Sequence, residues 1–269
     1  MPDAHEEEDV LWRVADGVAT ITLNRPERMN AWTWPMHAAF FELVDRADDD
    51  PEVRAVVITG AGRGFCPGMD MDFLAETSKT VGENVARRPL TDLGALRKPV
   101  VAAINGACAG IGLVIALLSD VRFVAGGVRM TTSFTRRGLP AEFGASWLLP
   151  RLVGVGNAMD LLLSGRVLDA QEALDLGLVN RVYPAEELAS AALAYAQDLV
   201  EHCSPVAMAA IKAQVAADWL RTPGESLAEA TAMVAAPERR ADFREGVDSY
   251  VEKRPPDFRP LPRRGEELT

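Results

Sequence analysis

The sequence is poor in the residue types that mark several common chemistries. It has only 3 cysteines and 3 histidines in 269 residues. Cys66, Cys108 and Cys203 lie far apart with no CxxC pair, which fits neither a disulfide framework nor a zinc site; a reducing cytoplasm is their simplest home. His5, His37 and His202 lack ligand spacing, so no metal is expected. Positive charge is in the minority: 28 Lys and Arg stand against 39 Asp and Glu, for a formal net charge of −11. A chain of that sign repels phosphate backbones and anionic lipid, which counts against nucleic-acid and membrane partners. The N-terminus, MPDAHEEEDV, is acidic where an export signal needs basic residues followed by an apolar run.

What is present is a composition that folds: 48% apolar and 25% charged residues. The length suits one large domain, or a domain with a helical extension, at about 100–200 residues per domain. Pro99–Leu118 is nearly uncharged and long enough to resemble a membrane span. Asn105, three glycines and the Lys-Pro boundary at Pro99 instead divide it into a buried strand (Val100–Ile104), a turn and a buried helix.

The first half alternates strand-like and helix-like periods. Val10–Val14 and Val18–Leu23 flank Asp16-Gly17, a hairpin signature. A helix is expected over Pro35–Ala47, stopped by Asp48-Asp49-Asp50-Pro51. Val53–Thr59 and Val121–Val124 read as buried parallel strands, and Gly60–Gly68 as a loop. A polar, variable stretch runs over Thr77–Arg88. Strands separated by helices imply right-handed parallel crossovers and an α/β fold. From Ala170 onward the pattern is helical with almost no strand signal, and the terminal KRPPDFRPLPRR reads as a loosely held tail.

The loop Gly60-Ala61-Gly62-Arg63-Gly64 does not match a dinucleotide fingerprint, because Phe65 stands at the third glycine and Cys66-Pro67-Gly68 interposes another turn. Glycine-rich turns at Gly60–Gly68 and Gly110-Ile111-Gly112 do permit close approach of backbone amides to a ligand. The second opens an apolar helix at the positive end of its dipole. Placed after parallel strands, the two are either ordinary tight turns or the convergent donors of an oxyanion hole.

Five ordered segments carry a family resemblance: Asn24-Arg25-Pro26 with Met29-Asn30-Ala31, GAGRGFCPGMDM, KPVVAAINGACAGIGLVIALLSD, RRGLPAEFGASWLLPRLVG and SGRVLDAQEALDLGLVNRV. Together they resemble the crotonase (enoyl-CoA hydratase/isomerase) superfamily from about residue 10 to residue 255. The resemblance implies an α/β fold with a crotonase-type ββα spiral core over 1–200, and a C-terminal helical oligomerisation region and tail over 201–269. It implies a homotrimer or a dimer of trimers acting on an acyl-CoA thioester, with no cofactor beyond the coenzyme A of the substrate. The oxyanion-hole amides would belong to Met69 and Ile111. Arg25 and Arg28 would approach the coenzyme A phosphates, and Asn30, Ala31, Gly68, Asp70, Met71 and Gly110 would line the substrate. Read from the residues alone, Asp70 and Asp72 are helix N-terminal carboxylates, Arg25 and Arg28 are equally surface arginines, and Cys66 is a small apolar filler.

Where the family's hydratases carry two glutamates, this chain has Val114 and Ser133, neither of which can act as a general base. Glu142, in Gly138-Leu139-Pro140-Ala141-Glu142-Phe143-Gly144, resembles the GLxxEGG segment of peroxisomal-type Δ3,Δ2-enoyl-CoA isomerases, whose catalytic glutamate occupies this position. The same register holds an aspartate nucleophile in aryl-CoA dehalogenases of the superfamily. Without the resemblance, Glu142 reads as a capping carboxylate ahead of the next helix. The expected reaction is a double-bond shift in an enoyl-CoA, in degradation or biosynthesis. The alternatives are a hydratase or hydrolase using Glu142 alone, and a catalytically silent acyl-CoA binding protein.

Overall fold

The computed structural model describes residues 8–77, 88–235 and 240–266, so all but the ends of the Thr77–Arg88 stretch lie outside the described residues. Strands β1 (Val10–Ala15) and β2 (Val18–Leu23) form the expected antiparallel hairpin. Asp16 (φ 50°) and Gly17 (φ 76°) supply its two left-handed turn residues. Helix α1 (Trp34–Asp49) starts at Thr33, whose hydroxyl accepts the Met36 N–H at 3.3 Å, and it buries Met36, Phe40, Val44 and Ala47 along one face.

Three ββα turns of a spiral follow, each pairing a strand of a large sheet with a short strand of a second sheet. They are β3 (Ala55–Gly60), β4 (Gly64–Cys66) and α2 (Met71–Thr77); β5 (Val100–Ile104), β6 (Ala107–Ala109) and α3 (Ile111–Leu118); β7 (Val121–Ala125), β8 (Arg129–Thr131) and α4 (Ala145–Ser164). Later come β9 (Leu168–Asp169), α5 (Ala170–Asp175), β10 (Arg181–Tyr183) and α6 (Leu188–His202). The large sheet runs β1-β2-β3-β5-β7-β10 and the small one β4-β6-β8-β9. All pairs are parallel except β1–β2 and β8–β9. Every residue of β5 and of α3 is buried, so Pro99–Leu118 lies inside the core as a strand, a turn and a helix. Among the described residues no helix is long and apolar enough to cross a membrane.

Three expectations need correction. Gly60–Gly68 is not all loop, because Gly64–Cys66 forms β4. The segment beyond Ala170 is not strand-free, since β10 pairs with β7 through three residues, too few to show a period of two. The C-terminal tail is docked after α7 (Pro205–Asp218), α8 (Pro223–Ala235) and α9 (Arg240–Glu252). Phe258 and Leu261 are buried, Arg54 Nη2 donates to Phe258 O at 2.9 Å, and Arg97 Nη1 donates to Pro262 O at 2.9 Å. Arg264 pairs with the buried Asp48. A proline-rich extended chain has free carbonyls, and half-buried arginines take them up.

Candidate functional site

The small sheet sets the geometry of the site. Cys66 in β4 lies opposite Cys108 in β6, and the turns that follow begin at equivalent points. Met69 and Ile111 each stand three residues beyond that paired register, so parallel strands deliver the two turns side by side. A Cβ on Gly68 would lie 3.6 Å from Ala109 O, and one on Gly110 would lie 3.8 Å from the Gly68 Cα. Gly68 (φ 113°) and Gly110 (φ 51°) both hold left-handed backbone, where glycine is favoured.

Met69 forms a parallel bridge with Trp32, in which Trp32 N–H donates to Gly68 O at 2.8 Å and Asp70 N–H donates to Trp32 O at 2.9 Å. The bridge uses the groups on either side of Met69 and turns the Met69 N–H away from Trp32. That N–H has no hydrogen-bond partner among the described residues. Nor does the Ile111 N–H, at the first position of α3, where helix geometry leaves N–H groups free and the dipole is positive. Packing fixes α3 in place: a Cβ on Gly112 would lie 2.1 Å from Cys66 O.

Val114 is fully buried in α3. Ser133, in a left-handed conformation (φ 54°), sits where β8 ends, with its Oγ 3.7 Å from the point a Gly110 Cβ would occupy. Glu142 lies just before α4 but does not cap it. The N-cap is Gly144, and only the Glu142 backbone O enters the turn, accepting Ala145 N–H at 2.9 Å. Phe143 (φ 55°) and Gly144 (φ 83°) are both left-handed, and Gly144 packs on Thr91. The Glu142 carboxylate has no hydrogen-bond or ion-pair partner among the described residues, and burial pushes its carboxyl above the usual range. A groove of about 840 Å³ is lined by Gly144, Trp147, Leu117 and Trp219 among others, and Met69, Ile111 and Glu142 are not among its lining residues.

Other expected substrate neighbours have partners within the protein. Asn30 is fully buried, its Nδ2 donating to Ala61 O (3.0 Å) and Gly64 O (2.7 Å) and its Oδ1 accepting Arg25 N–H (2.8 Å). The Ala31 carbonyl accepts from Arg25 Nη1 at 2.5 Å. Arg25 and Arg28, expected at the coenzyme A phosphates, are engaged by Asp70. Asp70 also caps α2, its Oδ1 accepting the Asp72 N–H at 3.1 Å and the Phe73 N–H at 3.4 Å, as the sequence alone suggests. Met71 is exposed. Cys66 is buried, and desolvation pushes its thiol up to about 12, which fits apolar filler. The sequence reading passes over Arg63, an exposed cation with no side-chain partner among the described residues. Its signal is a lone cation between two loop glycines.

The chain matches the enoyl-CoA hydratase/isomerase family model over residues 13–260. It is 35% identical over 258 residues to the 1,2-epoxyphenylacetyl-CoA isomerase of Escherichia coli, covering 93% of this chain and 98% of that protein. Among solved structures, an enoyl-CoA hydratase from Polaromonas sp. JS666 is similar with a TM-score of 0.87 and 32% identity, over 93% of this chain and 99% of that one. An enoyl-CoA hydratase from Mycobacterium marinum is 48% identical with a TM-score of 0.69, over 79% of this chain and 99% of that one.

Proposed function

This chain belongs to the enoyl-CoA hydratase/isomerase family, and from that premise we propose that it shifts the double bond of an enoyl-CoA with Glu142 as its single acid/base. The observation that carries this reading is the Glu142 carboxylate itself: unpartnered among the described residues, raised in pKa by burial, and free of any capping role. Glu142 takes a proton from C2 of a 3-enoyl thioester, and the electron pair moves onto the thioester oxygen. The Met69 and Ile111 amides hold that oxygen as the dienolate forms. The protonated Glu142 then returns the proton to C4, leaving the double bond between C2 and C3. One carboxylate is enough for this cycle. Activating a water between two carboxylates is not open to a site with Val114 and Ser133 at the matching positions.

Arg63, exposed and with no side-chain partner among the described residues, is the better candidate for the coenzyme A phosphates. Helices α8 and α9 leave Leu227, Phe243, Tyr250 and Val251 at least 70% exposed. That supports a homotrimer or dimer of trimers built through residues 201–269; a monomer in sedimentation at micromolar concentration would contradict it.

The test assays 3-enoyl-CoA and 2-enoyl-CoA for conjugation by ultraviolet absorbance and for uptake of water. Wild type is expected to conjugate the 3-enoyl thioester without a water adduct. Glu142→Gln should bind acyl-CoA normally and lose about 10²–10⁴-fold in turnover. The acid limb of kcat/KM should fall at a pH above the ordinary carboxylate value, because a raised pKa keeps Glu142 protonated to higher pH. A water adduct would establish a hydratase. Equal inertness of wild type and Glu142→Gln, with binding kept, would establish a silent acyl-CoA binder.

A further inference from the structure

Beside the oxyanion turn lies a charged cluster that the proposed reaction does not use. Asp70, the residue after Met69, is 3% exposed. Arg25 reaches its Oδ2 with Nη1 and Nη2, both at 3.2 Å. Arg28 reaches Oδ1 with Nη2 at 3.0 Å and Oδ2 with Nε at 3.3 Å. Both carboxylate oxygens are thus gripped by guanidinium groups from one loop. Arg28 hydrogen bonding, with further help from backbone amides and Arg25, pulls the Asp70 carboxyl down to about 2 against the cost of burial.

The loop that supplies the grip is itself held by unusual means. Met29 (φ 52°) and Asn30 (φ 65°) are left-handed without being glycine, a conformation the surroundings must enforce. The buried Asn30 side chain ties the loop to Ala61 and Gly64, and Arg25 Nη1 ties it to Ala31 O. Two residues on, Trp32 makes the bridge that orients Met69. Guanidinium, carboxylate and bridge therefore form one closed frame around a single peptide group.

We propose that Arg25, Asp70 and Arg28 are positioning residues that hold the Met69 amide in the oxyanion hole, and that they do not serve as coenzyme A phosphate ligands. This inference rests on the reading of Met69 as an oxyanion donor. A buried carboxylate with two fixed cations leaves the adjoining peptide little freedom, and preorganised donors gain their value from being fixed before charge develops. Displacing a reacting group by about 1 Å can cost 10²-fold in rate.

The test compares Arg28→Gln and Asp70→Asn with wild type on an enoyl-CoA and on the matching pantetheine thioester, which lacks the nucleotide. A positioning role predicts kcat down by about 10²-fold, with KM within about twofold, and the same loss on both thioesters. A rise in KM confined to the coenzyme A substrate would overturn the proposal in favour of phosphate binding. Unchanged kcat on both would reduce the cluster to a structural ion pair. Arg28 is 43% exposed at its side chain, so Arg28→Gln keeps the question open to measurement if Asp70→Asn fails to fold. Amide hydrogen exchange adds a readout that needs no turnover. The Trp32 and Asp70 amides, protected by the bridge, should exchange at least about tenfold faster in the variants while β5 amides do not change. Unaltered exchange at Trp32 and Asp70 would overturn the clamp even if wild type turns over no enoyl thioester, a result that would by itself sink the proposed reaction.

Discussion

The two turns at the candidate oxyanion hole are held in place by different physics. The Gly68–Asp70 turn is aimed by side-chain charge: two arginines on one buried carboxylate, plus the Trp32 bridge. The Gly110–Gly112 turn has no charged residue and is aimed by contact, with an all-buried helix pressed against Cys66 through a bare glycine. The first is sensitive to protonation and the second to volume. A backbone donor can therefore be fixed either electrostatically or sterically, and the two modes fail under different insults.

Adding one methyl group to the second turn is the strongest way to break the comparison. In Gly112→Ala the new Cβ would meet Cys66 O at 2.1 Å and Cys66 Cβ at 2.6 Å, neither of which is the far end of a flexible chain. Helix α3 must withdraw from β4, at a cost of about 3 kcal/mol, and turnover should vanish with the displaced Ile111 amide. Thermal unfolding together with the enoyl-CoA assay checks both. A variant with wild-type Tm and rate would show that packing does not position this turn.

Acid is the corresponding insult to the first turn. The Asp70 carboxyl moves from its ordinary 3.8 to about 2 on folding, so the folded state binds its proton less tightly than the unfolded chain. The stability it contributes, about 2 kcal/mol, is complete above the unfolded pKa and is lost as pH falls from about 4 through 2. Denaturant titrations across that range should show this loss in wild type and its absence in Asp70→Asn. Gly112→Ala, though weaker overall, should keep the wild-type slope. If the slope survived in Asp70→Asn, the charged frame would not be the source of stability at this turn.

This contrast also explains which parts were legible in the sequence. The hairpin at Asp16-Gly17, helix α1 from its Pro35 start and the splitting of Pro99–Leu118 followed from local rules, because turn chemistry, helix breakers and period are written in neighbouring residues. Strands β4, β6 and β10, each three residues long, were not legible, since their existence depends on partners far away in the chain. Of the candidate site, the glycine turns and the place of Glu142 just ahead of a helix could be read. The fate of Arg25 and Arg28 could not, because an arginine near Asn30 carries no mark of the carboxylate 42 or 45 residues away that will claim it. The docked tail was missed for the same reason: its proline-rich composition suggests looseness, while Arg54 and Arg97 are more than 150 residues away in the chain and only tertiary structure brings them to Phe258 and Pro262.

The smallest expected effect is the one most specific to backbone donors. If the amides of Met69 and Ile111 do the chemistry, their side chains matter only through packing. Ile111 is 1% exposed, so Ile111→Val should cost about 1 kcal/mol of stability for the lost methylene. Its kcat should nevertheless stay within about twofold of wild type, because the peptide N–H is unchanged and α3 still meets Cys66 through Gly112. Met69→Leu keeps nearly the same volume and should alter stability and rate even less. Steady-state kinetics beside denaturant melts separate the two quantities for each variant. A large fall in kcat from either conservative change, without a matching fall in stability, would mean that a side chain and not a peptide group touches the reacting oxygen. The symmetry drawn between the two turns would then have no chemical basis.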